Sequence, residues 1–293
     1  MSAKREDDTI LGERASLYPL QDEVAIITGA AKGIGRGIAL AMAEAGAHIV
    51  IADIDAEEGR ITAQEVEQRG RRALVLEADV GRETDVDRIV DETLRAFGRI
   101  DVLVNNAGIN APGGFLGVSR EDVRRVLDTD LIGPFFLTQR VAREMIRLGI
   151  QGRILCISSI HSVVPAYCPH YSAAKIGLEQ LVVDAALELA PYGLRVNAIR
   201  PGGIQNRGTL RADHPDVAHP AVPLWGRRGL PSEVAELALF LVTDRSRYIT
   251  GATVTIDGAL SRLSYSSLIQ RERIDAVHHE LGLSVRRRQA PQR

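Results

Sequence analysis

Tyr171 and Lys175 stand four positions apart in Tyr171-Ser172-Ala173-Ala174-Lys175, at the opening of a segment that reads as a long helix. Residues at this spacing share a helical face, so the Lys175 ammonium can approach the Tyr171 phenol. A phenol with an ordinary pKa near ~10 is a weak base at neutral pH. A nearby cation favours the phenolate, which can take a proton from a substrate oxygen or return one. Ser158-Ser159, closing the preceding apolar run, offers a hydroxyl to hold that oxygen. Alone, the Tyr/Lys spacing fits an ordinary amphipathic helix equally well, so other residues must supply the context.

That context begins at Thr28-Gly29-Ala30-Ala31-Lys32-Gly33-Ile34-Gly35. Three glycines let the backbone pass close to a pyrophosphate, and the helix that follows turns unpaired N–H groups toward the anion. The spacing differs from G-x-G-x-x-G and from a Walker loop. Asp53 closes the second apolar run, 18 positions after Gly35, near the ~20 at which an acidic residue binds an adenosine ribose. A carboxylate there accepts both ribose hydroxyls and repels a 2′-phosphate, which favours NAD over NADP. Lys32 pulls the other way.

The elements that must hold these groups are short apolar runs at 24–28, 48–52, 73–78, 101–104, 153–157, 194–199 and 253–256. Between them apolar residues recur at helical spacing, as in Ile38, Met42 and Ala45, or Val86, Ile89, Val90 and Leu94. The runs are apolar throughout rather than alternating, as strands buried on both faces must be. Repeated strand–helix alternation predicts an α/β fold with one doubly wound, Rossmann-type parallel sheet of about seven strands and helices on both faces. One domain is expected over 21–260, between an N-terminal extension 1–20 and an Arg-rich extension 261–293.

Composition bounds the function. The 293 residues are 45% hydrophobic and 25% charged, a globular balance. No apolar run reaches the ~18 residues of a membrane span, and Met1 to Leu20 carries no apolar signal core, so a cytoplasmic, membrane-free protein is expected. Two cysteines, Cys156 and Cys168, make no disulfide framework, and the seven His show no ligand spacing for a metal. A net charge of -2 argues against nucleic acid, although 261–293 carries seven Arg against Glu272, Asp275 and Glu280. Of 36 basic residues only Lys4, Lys32 and Lys175 are lysines, and two of these fall in the motifs above.

Together these motifs resemble the short-chain dehydrogenase/reductase family over about 21–260. The resemblance also rests on Asp79-Val80, Asn105-Asn106-Ala107-Gly108, Arg195-Val196-Asn197-Ala198-Ile199-Arg200-Pro201-Gly202 and Gly251-Ala252-Thr253-Val254-Thr255-Ile256-Asp257-Gly258. It implies nicotinamide-dependent hydride transfer at an alcohol or carbonyl carbon. Tyr171 would be the acid/base, Lys175 would hold the nicotinamide ribose and favour the phenolate, and Ser159 would orient the substrate oxygen. Gly29, Lys32, Gly33, Ile34, Gly35, Asp53, Asn105, Ala107, Gly108, Pro201, Gly202 and Ile204 would line the cofactor, with Asp79 and Val80 at its adenine. The family's tetramers use the helix that begins at Tyr171 and the one after Pro231, so a homo-oligomer, tetramer or dimer, is implied.

Three departures stand out. Asp130 takes the place of an Asn that positions a water near the lysine. The interval from Ser159 to Tyr171 is one residue short; Ser158 fits the family's count, while Ser159 fits the strand end and is preferred. Asn206 stands where a Thr often holds the carboxamide. For the substrate, His161, His170, Asn206 and Trp225 are candidate contacts, and their polarity suits a small secondary alcohol, sugar or polyol. Two alternatives stay open: an NADPH-dependent reductase of 3-oxoacyl groups on an acyl carrier protein, and a non-catalytic dinucleotide sensor or scaffold, which only Asp130 favours.

Overall fold

The computed structural model describes residues 19–205 and 226–264. Most of the N-terminal extension, Asn206, Trp225 and the extension after Ser264 lie outside the described residues.

Seven strands form one sheet: β1 Val24–Thr28, β2 His48–Asp53, β3 Ala73–Glu77, β4 Val102–Asn105, β5 Arg153–Ile157, β6 Arg195–Pro201 and β7 Thr253–Ile256. Their order is β3-β2-β1-β4-β5-β6-β7, and every pairing is parallel. Successive residues of a strand face opposite sides, and here both sides are buried. Ala25, Ile27, Ile49 and Ile51 join a core with α1 (Gly33–Glu44), α2 (Ala56–Glu67) and α8 (Pro231–Val242). Val24, Ile26, Val50 and Ala52 join the opposite core with α3 (Glu83–Phe97), α6 (Gly133–Arg147) and α7 (Pro169–Leu189). This two-sided burial explains the unbroken apolar runs, and each fully buried Ile or Leu contributes about 1.5–3 kcal/mol.

Among the described residues, the remaining α-helices are the short α4 (Gly114–Gly117) and α5 (Arg120–Leu127). A π turn, Asp128–Ile132, joins α5 to α6, so 120–147 forms one helical rod with a bulge. The rod passes the chain after β3 so closely that a Cβ on Gly133 would lie 2.1 Å from the Val80 carbonyl oxygen. The sheet changes direction at β1, between β2 and β4. In an open α/β sheet, ligands bind beyond the carboxyl strand ends at such a point, and the glycine turn follows β1 there.

Candidate active site

The glycine turn is built for close approach. Gly29 and Gly33 take φ of +64° and +60°, a region that favours glycine. A Cβ on Gly35 would fall 2.2 Å from the Gly29 carbonyl oxygen and 2.4 Å from Asn106 Nδ2, so no other residue fits. Asn106 Nδ2 donates to the carbonyl oxygens of Thr28 and Gly29, each at 2.9 Å. Thr28 Oγ1 accepts from the N–H groups of Asn106 and Ala107 at 3.0 Å. The turn after β4 thus clamps the turn after β1. α1 begins with no side-chain cap and no acidic residue in its first turn, whereas Asp55 caps α2 and Ser119 caps α5. The first N–H groups of α1 remain available to an anion.

Asp53 closes β2 and is buried. Its Oδ2 accepts from Ala31 N at 2.9 Å and its Oδ1 from Asp55 N at 3.0 Å, which fixes the carboxylate at the rim of the glycine turn. Lys32 Nζ pairs with Asp55 Oδ2 at 3.0 Å on the surface, so Asp55 offsets the Lys32 charge. Asp79 Oδ1 accepts from Gly81 N, while Val80 is buried. These residues and the glycine turn fit a dinucleotide: a cradle that a Cβ would fill, an uncapped helix start and an acidic ribose rim.

α7 carries Tyr171 and Lys175. Lys175 is 2% exposed; its Nζ donates to the Ile157 carbonyl oxygen at 3.2 Å and lies 5.4 Å from the Tyr171 ring centroid. Asp130, fully buried, projects from the π turn and meets Lys175 Nζ with Oδ2 at 3.1 Å. This contact is an ion pair without hydrogen-bond alignment, and Oδ1 accepts from Ile109 N at 2.8 Å. Burial pushes the Asp130 carboxyl above its ordinary value, while the Lys175 charge and the Ile109 N–H pull it back. For Lys175, burial favours discharge, but the Tyr171 and Asp130 charges outweigh it and hold the ammonium above its ordinary value. Gly108 passes close to this pair: a Cβ there would lie 2.9 Å from Asp130 Oδ2 and 3.2 Å from Lys175 Nζ, so those side chains would have to shift. π turns often occur at functional sites, and this one turns a carboxylate inward.

Ser159 lies two residues past the end of β5 and caps a short turn, Ile160–Ser162, with its Oγ accepting from His161 N at 3.2 Å. Ser158 points elsewhere: its Oγ donates to Glu179 Oε1 at 2.6 Å. His161 packs edge-on against Tyr171 with ring centroids 5.7 Å apart, and its Nδ1 lies 3.5 Å from Cys168 Sγ. Burial lowers the His161 pKa, which favours the neutral imidazole. His170 turns into the fold, with Nε2 3.1 Å from both Asn110 Oδ1 and the Ala111 carbonyl oxygen. Asn105 is also internal; its Nδ2 donates to Thr138 Oγ1 at 2.9 Å. Cys156 is buried, and burial pushes its thiol up to about 11. Near β7, Gly202 N donates to the Ile256 carbonyl oxygen at 2.9 Å, Pro201 is buried, and Ile204 bridges to Gly229. Among the described residues, no three His, Cys, Asp or Glu gather as a metal site, and no helix is long and apolar enough to cross a membrane.

Two residues of the site have roles that motif spacing does not reveal. Asn106 clamps the glycine turn. Glu179, four positions beyond Lys175, binds Ser158 and Arg200.

Comparison with known proteins agrees with this fold. The family model described as enoyl-(acyl carrier protein) reductase matches residues 29–261. The L-rhamnose 1-dehydrogenase (NAD(P)(+)) of Azotobacter vinelandii is 38% identical over 250 residues, 82% of this chain and 97% of that protein. A short-chain type dehydrogenase/reductase from Mycobacterium marinum is 35% identical, with a TM-score of 0.78 over 83% of this chain and 97% of that one. The acetoin dehydrogenase from Enterobacter cloacae is 34% identical, with a TM-score of 0.78 over 84% and 98% of the two chains.

Proposed function

The chain belongs to the short-chain dehydrogenase/reductase family, and from that premise we propose that it is an NAD(H)-dependent oxidoreductase of small secondary alcohols, sugars or polyols. The observation that carries this reading is the buried Lys175 ammonium beside the Tyr171 ring. The nicotinamide cofactor accepts or supplies the hydride. In oxidation, Tyr171 takes the alcohol proton while the Ser159 hydroxyl holds the substrate oxygen; in reduction, Tyr171 returns the proton to the alkoxide oxygen. Lys175 stabilises the phenolate, and Asp130 holds Lys175. Ser159 is preferred to Ser158 because Ser158 is already bound to Glu179.

NAD(H) is favoured over NADP(H) because Asp53 and Asp55 together outweigh Lys32 around the ribose rim. Relatives act on a sugar and on acetoin by name, which supports a small hydroxylated substrate. His161 beside Tyr171 is its proposed contact. We also propose a homo-oligomer, a tetramer or dimer, since α6 and α7 leave Phe135, Phe136, Ile176 and Leu187 exposed, apolar side chains that would suit subunit contact. Two free cysteines accord with a cytoplasmic location.

The test combines NADH and NADPH fluorescence titration with turnover on sugars, polyols, ketones and acyl thioesters. Tighter NADH binding and turnover on a sugar or ketone, reduced by about 10²–10⁴ in Tyr171→Phe, is the expected result. Turnover of acyl thioesters alone, or full activity in Tyr171→Phe, would overturn it.

A further inference from the structure

The stripe of α7 that carries Tyr171 and Lys175 continues to Glu179, again four residues on, so all three side chains share one face. Glu179 is a node. Its Oε1 accepts from Ser158 Oγ at 2.6 Å, Ser162 Oγ at 2.7 Å and Arg200 Nε at 2.9 Å. Its Oε2 accepts from Arg200 Nη2. Arg200, on β6, also donates through Nη1 to Thr255 Oγ1 at 3.1 Å, its register partner on β7. Ser162 Oγ stands 2.8 Å from the Ser159 carbonyl oxygen. It has one proton to share between that oxygen and Glu179, and it accepts from Arg200 Nε at 2.9 Å.

The ties bracket one residue. Ser158 precedes Ser159 and is bound to Glu179; Ser162 closes the turn that follows and is bound to Glu179, Arg200 and Ser159 itself. The Glu179 and Arg200 side chains are 14% and 16% exposed. A pair buried to this degree adds little net stability, because desolvation offsets the Coulomb gain. What it does provide is direction. A bidentate guanidinium–carboxylate pair has fixed geometry, and this one joins the helix of Tyr171 to β6, while Glu179 holds Ser158 and Ser162 on either side of Ser159.

We propose that Glu179 and Arg200 form a positioning pair that sets the Ser159 hydroxyl against the Tyr171 phenol, so that both reach one substrate oxygen. The pair acts through Ser159 and touches neither substrate nor cofactor. The inference rests on the proposed role of Ser159, and the test separates the two.

The experiment uses the full-length chain and compares Glu179→Gln, Ser159→Ala and the double variant. It reads NADH affinity by fluorescence, thermal melting, and kcat and KM on the active substrate. A misplacement of about 1 Å costs up to about 10²-fold in rate. Glu179→Gln is expected to lower kcat by about tenfold or more, with NADH affinity within about twofold of wild type. In the Ser159→Ala background, the same change has no further effect on kcat, because contacts that act through one another are not additive. If Glu179→Gln does not fold, Ser162→Ala cuts the same link at the turn and shows the same non-additivity with a smaller loss.

Losses that multiply in the double variant would overturn the positioning role and leave that of Ser159 intact. So would a wild-type kcat in Glu179→Gln. Full activity in Ser159→Ala would overturn both.

Discussion

Replacing Asp130 with Asn removes one buried charge at nearly constant shape, and its effect follows from two distances. Lys175 Nζ lies 5.4 Å from the Tyr171 ring centroid, and Asp130 Oδ2 lies 3.1 Å from Nζ. The carboxylate is therefore within about 8.5 Å of the ring centroid. At an effective dielectric constant near 20, two unit charges at that separation interact by about 2 kcal/mol, or about 1.4 pH units. Asp130 opposes the phenolate that Lys175 favours, so its removal makes proton uptake from the alcohol possible at lower pH. The acidic limb of kcat/KM for alcohol oxidation is expected to move down by about one to one and a half units in Asp130→Asn. This limb belongs to the coupled Tyr171–Lys175–Asp130 set rather than to one residue. The assay is initial-rate NADH formation across the pH range, with NAD⁺ saturating and NADH affinity measured in parallel. An unmoved limb, or one that moves up, would refute the electrostatic argument and assign Asp130 to holding Ile109 N instead.

Further outcomes follow from neighbouring contacts. Gly108→Ala forces a Cβ against Asp130 and Lys175; it is expected to destabilise the fold by about 1–3 kcal/mol and to lower kcat, read by thermal melting and initial rates. Asp55→Ala releases Lys32 from its exposed pair, so the ratio of NADPH to NADH affinity rises about two- to fivefold at low salt, measured by fluorescence titration; a fall would show that Lys32 does not face the 2′ position. Glu179 is pushed up by burial, but bonds from Arg200, Ser158 and Ser162 hold it below its ordinary 4.5. The stability from this depression is present above about pH 4.5 and lost as pH falls through the lower folded value, so the wild-type melting temperature drops there more steeply than that of Glu179→Gln. Phe136→Glu places a charge on the exposed α6 face and lowers the sedimentation mass to that of a monomer; an unchanged mass would refute the use of this face.

Seven apolar runs in the sequence correspond to seven strands, and the boundaries differ for local reasons. The third strand stops at Glu77, paired with Asp53, although Ala78 N still bonds to the Asp53 carbonyl oxygen just beyond it. The sixth runs on to Pro201, whose partner on β7 is Ile256. The glycine turn is legible because its residue types follow from φ and close approach, properties that a sequence records directly. Asn105 and Asn106 mark the limit. Adjacent residues at a strand end point to opposite sides, and the inward member is Asn105 while Asn106 clamps the turn. The two histidines divide in the same way: His161 faces Tyr171, and His170 turns to Asn110 and Ala111.

Asp130 and Glu179 show why some of the site is not legible. The sequence places Asp130 near Lys175 only through its resemblance to a family that has Asn there. What makes it a buried ion-pair partner is the π turn, which a helical 3.6-residue period does not anticipate. Glu179 is visible as the next position on the face of Tyr171 and Lys175. Its partners, however, come from β5, the Ile160–Ser162 turn and β6, and only the packing of α7 against those elements brings them to one carboxylate. Spacing along one helix therefore reveals which residues share a face. The sheet order decides what that face meets: here, the ends of β5 and β6, from which Ser158 and Arg200 bond to Glu179.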